Sequence, residues 1–162
     1  MRRRQSHPRR AFTLLEALMV IIVLAIAVPP TVGFLNASAA QRADAINTQR
    51  ATTLAQGVME SVLADVASST PGRGYGALAG MSAYLDTPST GLRTRLTGVT
   101  DLYTSMGMSY SVSASAQVSS SGAATGNASL DVFRIVTVTV TYPSAQQSTP
   151  LSISLSTLVT DL

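Results

Sequence analysis

Eight carboxylates and six arginines make up nearly all the ionisable chemistry beyond residue 10. There is no cysteine, lysine or tryptophan, and the one histidine is His7. Thiol nucleophiles, Schiff-base lysines, thiolate metal sites and histidine triads in the body of the chain are thereby removed. Asp86, Asp101, Asp131 and Asp161 stand far apart and lack the spacing of a calcium loop. A carboxylate pair of the kind glycoside hydrolysis uses would have to be assembled by the fold. The stretch Gly72-Arg73-Gly74-Tyr75-Gly76 is rich enough in glycine for a phosphate cradle. It lacks the preceding strand and the following Gly-Lys-Ser/Thr, so it reads as a flexible loop. No catalytic residue, metal site or cofactor is expected, and the chain is not read as an enzyme.

One carboxylate is out of place. Between residues 11 and 35 the only ionisable side chain is Glu16, near the start of an apolar run. A helix rises about 1.5 Å per residue, so roughly 20 residues cross a bilayer core and this run suffices. A charge there costs about 3 kcal/mol on insertion scales. Upstream, Arg2, Arg3, Arg4, Arg9 and Arg10 crowd the first ten residues. Their removal leaves six arginines against eight carboxylates, a side-chain charge of −2. The basicity therefore belongs to an address label, and nucleic-acid binding is not expected. The basic flank stays cytoplasmic and sends the remainder outward. Three export readings compete: a cleaved signal peptide with Ala25-Ile26-Ala27 as its site, a twin-arginine signal on Arg9-Arg10-Ala11-Phe12, and a third that accounts for Glu16.

Ala11-Phe12-Thr13-Leu14-Leu15-Glu16, behind its basic leader and before its apolar run, resembles the processing motif of type IV prepilins and type II secretion pseudopilins. The likeness is detailed over residues 9–34 and architectural beyond. Its ending and its lack of a disulfide make it most like a minor pseudopilin or minor pilin. By position, the resemblance implies cleavage by a prepilin peptidase between Ala11 and Phe12 and N-methylation of Phe12. It implies that Glu16, then the fifth residue, faces the amine of a neighbouring Phe12 and sets the register of assembly. Ala11 stands where the family usually has glycine. Pro29-Pro30 falls where such helices often kink; the residues alone also allow a plain membrane-exit boundary. The implied partners are the peptidase/methylase, other pilin or pseudopilin subunits and an inner-membrane assembly platform. The implied location is the inner membrane, with a single pass, a cytoplasmic N-terminus and a periplasmic C-terminal domain, and then a filament. The competing reading is a membrane-anchored or exported extracytoplasmic binding module whose signal anchor mimics a prepilin leader.

The elements that would position these residues follow from periodicity. Residues 1–11 are a leader and 12–35 a transmembrane, filament-core helix. Residues 36–66 continue it as an amphipathic helix, with Leu35, Ala39, Ala43, Ile46, Leu54, Val58 and Val62 on one stripe. Residues 67–102 read as an αβ-loop, mainly connecting chain. Residues 103–162 form an antiparallel β-sheet domain of about three strands, because apolar residues alternate with Ser or Thr in three runs. Those runs are 108–118, 136–142 and 151–156; the Ser/Gly/Ala-rich link after the first reads as mobile. The expected fold is α+β and pilin-like, a long N-terminal helix packed on a small antiparallel sheet.

Overall fold

A computed structural model describes residues 13–161. The fold is α+β, with a long helix packed on a three-stranded antiparallel sheet. The chain divides into two compact units, Met1–Ala40 and Gln41–Leu162. Helix α1, Leu14–Val66, begins in the first and supplies the central helix of the second.

In the second unit, α1 buries Ala51, Leu54, Ala55, Val58, Met59 and Val62, spaced three and four apart. They meet the inner face of a sheet ordered β1-β2-β3: Ser109–Ala114, Phe133–Tyr142 and Leu151–Thr160. Central β2 presents Val136, Val138 and Val140, each fully buried. At about 1.5–3 kcal/mol for each large side chain taken from water, this layer is the main source of cohesion. The register places Val112 opposite Val138 and Val138 opposite Leu155, so the period-two alternation is continuous across all three strands.

The predicted stripe is covered over only part of its length. Leu54, Val58 and Val62 are buried, but Ile46 is 51% exposed and Leu35 60%. Around Asp44–Thr48 the helix is met by polar bonds from the β2–β3 loop instead. Asp44 accepts from the Ala145 N–H at 2.6 Å, the Ser144 hydroxyl at 3.0 Å and the Gln146 amide at 3.1 Å. Asn47 donates to the Pro143 carbonyl, and the Thr48 and Tyr142 hydroxyls pair at 3.1 Å.

The reading of 67–102 as mainly connecting loop is corrected. A 3₁₀ turn at Tyr75–Gly80 leads into α2, Met81–Asp86, and α3 runs Leu92–Ser105. The last residues of α3 thus open the 103–162 segment, and the first strand starts at Ser109, within the expected run 108–118. Leu92, Leu96, Val99 and Tyr103 do recur at helical spacing. Gly98 and the threonines, poor helix formers, mask that pattern. Gly107, at φ +77°, ends α3: its N–H donates to the Thr104 carbonyl, and the Met108 N–H donates to that of Tyr103. The left-handed turn sends the chain directly into β1.

Asp65 joins these helices to α1. Its carboxylate is 5% exposed and accepts from both terminal guanidinium nitrogens of Arg95 and from the Tyr84 hydroxyl at 2.7 Å. Arg73 stands 3.7 Å away, and the Asp65 carbonyl accepts from Ser68 and Gly74. The link at 119–129, read as mobile, is likewise held: Asp131, just beyond it, accepts from the Thr125 N–H and hydroxyl and from the Gly126 N–H.

Arg95→Met should destabilise the second unit by about 3–5 kcal/mol, because it strands a buried carboxylate. Asp65→Leu combined with Arg95→Met should recover much of that loss. Chemical denaturation of the single and double variants measures both.

Two carboxylates also make the unit acid-sensitive. The Ala145 N–H above all, then Ser144 and Gln146, hold the Asp44 pKa below its ordinary value against partial desolvation. Burial opposes ionisation of Asp131, but donors from Thr125, Gly126 and Asn127 outweigh it, and its pKa is also lowered. Such groups contribute stability that is complete above their unfolded pKa, near 3.9, and is lost as pH falls through the lower folded values. The melting temperature should stay level from about pH 7 to 5 and fall below about pH 4. Asp44→Asn with Asp131→Asn should flatten that fall.

Candidate functional site

The most unusual surface of the described chain is the first stretch of α1. Leu14 is 88% exposed, Ile26 73% and Phe34 72%, and every large apolar side chain between them is at least 46% exposed. A water-soluble surface seldom presents so long an apolar patch; patches of this extent mark contact with a membrane or with other protein. It is the one helix among the described residues long and apolar enough to cross a membrane.

The start of this helix gives Glu16 a local setting. Thr13 is the N-cap, its hydroxyl oxygen accepting the Glu16 N–H at 3.2 Å. Thr13-Leu14-Leu15-Glu16 thus has the sequence of a capping box, with the acidic side chain in the first turn where the helix dipole favours it. That signal was legible in the sequence and is independent of any partner. Glu16 itself is exposed. Ala11 and Phe12 lie outside the described residues.

Pro29 and Pro30 sit inside α1, which runs unbroken through them. Proline has no N–H, so the Ala25 and Ile26 carbonyls lack their usual helical donors. The Thr31 hydroxyl donates to the next carbonyl, Ala27, at 2.7 Å. In hydrocarbon, where no water can compensate, the two freed carbonyls are a local weakness.

In the second unit four carboxylates are committed to structure. Asp65 binds α2 and α3, Asp44 the β2–β3 loop, Asp131 its own loop, and Asp86 pairs with Arg93 on the surface. No cluster of three metal-ligating side chains occurs among the described residues. A cavity of about 280 Å³ lies among Gly72, Gly76, Gly80, Tyr84, Thr87 and Gly91. Its one ionisable wall is Tyr84, whose hydroxyl already donates to Asp65. Burial, reinforced by that carboxylate, raises the tyrosine pKa. The glycines near 72–76 have a packing role: the Gly74 N–H donates to the Asp65 carbonyl, and Tyr75 is buried.

No protein-family model, curated protein or solved structure matches the chain. The sequence reading passed over Asp65 and Asp44. Asp65 was detectable, since it continues the Val58–Val62 stripe and a charge on a buried stripe demands a cation. Asp44 was not, because its partners lie about a hundred residues away.

Replacing both prolines, Pro29→Ala with Pro30→Ala, should restore two helical bonds at sites where an interior proline costs about 3 kcal/mol. In detergent micelles, amide exchange at residues 25–33 should slow by about tenfold or more. Unchanged exchange would show that the pair is no weak point.

Proposed function

We propose that the chain is a structural, non-enzymatic subunit of a type II secretion pseudopilus or a type IV pilus. A prepilin peptidase cuts it between Ala11 and Phe12, and the new Phe12 amine is methylated. The protein waits in the inner membrane, with its N-terminus cytoplasmic and Gln41–Leu162 in the periplasm, and then joins a filament through α1. The observation that supports this reading is the uncovered apolar first stretch of α1, which begins within a prepilin-like motif and has Glu16 as its single charge. An apolar surface of that extent needs lipid first and neighbouring helices afterwards. Other subunits and an assembly platform in the membrane are therefore its partners.

Glu16 connects the two states. Among packed helices a carboxylate is favourable only beside a cation, and the Phe12 amine of a neighbouring copy supplies one. Such a pair specifies the axial offset between copies. Pro29 and Pro30 give the helix a place to bend or melt during the transfer from bilayer to filament.

Two measurements test the proposal. Intact mass of the protein from membranes of peptidase-positive cells should begin at N-methyl-Phe12; a retained Met1 or an N-terminus near Val28 rules out this processing. Glu16→Leu should insert and be cleaved normally yet be lost from the sheared filament fraction, as breaking a buried pair costs about 3–5 kcal/mol. Full incorporation of the processed variant would refute the register role.

A further inference from the structure

The sheet is open at both sides. Strand β3 pairs with β2 through ten unbroken positions, and β1 pairs with β2 through six. Among the described residues, no other backbone hydrogen bond reaches Leu151–Thr160 or Ser109–Ala114. Proteins usually blunt such edges with charge, proline or a bulge. Neither strand contains a charged residue or a proline, and both registers run without a bulge. Burial shows the same incompleteness. Val136, Val138 and Val140 on β2 are fully buried, but Leu151, Ile153 and Leu155 on β3 remain half-buried. One more strand beside β3 would finish covering them.

We propose that the free edge of β3 takes the β1 edge of a second copy of this chain, in parallel, so that the sheet continues from subunit to subunit. The inference rests on the assembly reading above and adds a second contact to it. Copies standing side by side with the same orientation meet through unlike surfaces, so one β3 edge faces the next copy's β1 edge. Since β1 and β3 both run opposite to β2, the new pair is parallel. The side chains agree as well. Ser109, Ser111 and Ser113 would extend the hydroxyl face made by Ser152, Ser154 and Ser156. Tyr110, Val112 and Ala114 would extend the apolar face of Ile153 and Leu155. With no charge on either strand, nothing repels the approach. A pairing limited by the six residues of β1 falls short of the roughly 1,200 Å² typical of a free-standing interface. It acts only where α1 already holds copies together and raises their effective concentration.

The chain has no cysteine, which permits a direct test. Differently tagged full-length copies are co-expressed in the native cell. One carries cysteine at Ser109, Ser111 or Ser113, its companion at Ser152, Ser154 or Ser156, and membranes are mildly oxidised. The expected result is a mixed disulfide for at least one pairing, about tenfold above like-with-like dimers and lost when either copy lacks its cysteine. No mixed product in any pairing overturns the proposal. So does a predominance of Ser154→Cys dimers, which would place β3 against β3. Leu18→Cys in α1 serves as the control for helix contact. If it crosslinks and the sheet pairs do not, the edge contact alone fails; if neither crosslinks, the assembly reading fails with it.

Discussion

The burial of Asp65 constrains the second unit more than any other single contact. A carboxylate near the C-terminal end of a helix opposes the helix dipole, and out of water it needs cations and donors on several sides. Arg95 from α3, Tyr84 from α2 and Arg73 from the intervening loop all converge on it. The chain between α1 and the sheet therefore cannot be a free connector. It is folded back against α1, and α3 then delivers β1 to its place beside β2. An apolar residue at 65 could serve cohesion equally well, but it would not prescribe which groups must meet there.

The sheet was legible because its signal is local and strong. Val136-Thr137-Val138-Thr139-Val140 alternates without interruption, and one face must be buried for that pattern to make sense. The lower stripe of α1 was legible for the same reason. Helix α3 was not, since its few apolar positions are diluted by Gly98 and threonines whose hydroxyls bond back to the preceding turn. The upper stripe misled because periodicity reveals a face without saying what covers it. Around Asp44 the cover is a loop held by hydrogen bonds, and Ile46 stays exposed.

The two units follow opposite physical logic. In Gln41–Leu162 the buried carboxylates, Asp65 and Asp131, are paired or hydrogen-bonded around an apolar interior. In the first stretch of α1 the apolar side chains are outside, and Glu16, the only charge, stands in the first helical turn. The first stretch stands out in the sequence through that contrast in composition. The Thr13 cap, however, shows that Glu16 has a local reason to be there in addition to any partner.

The outer face of the sheet has its own consequence. It carries three rows of hydroxyls, Ser109-Thr141-Ser152, Ser111-Thr139-Ser154 and Ser113-Thr137-Ser156, with the Thr139–Ser154 and Thr137–Ser156 pairs at 2.8 Å. Its affinity for water comes from dipoles alone. Counterions screen charges and leave dipoles almost untouched, and hydroxyls do not titrate in the range where proteins survive. These rows therefore offer no charge for salt to screen and no group for acid to protonate, a wetting that neither dilute buffer nor moderate acid switches off.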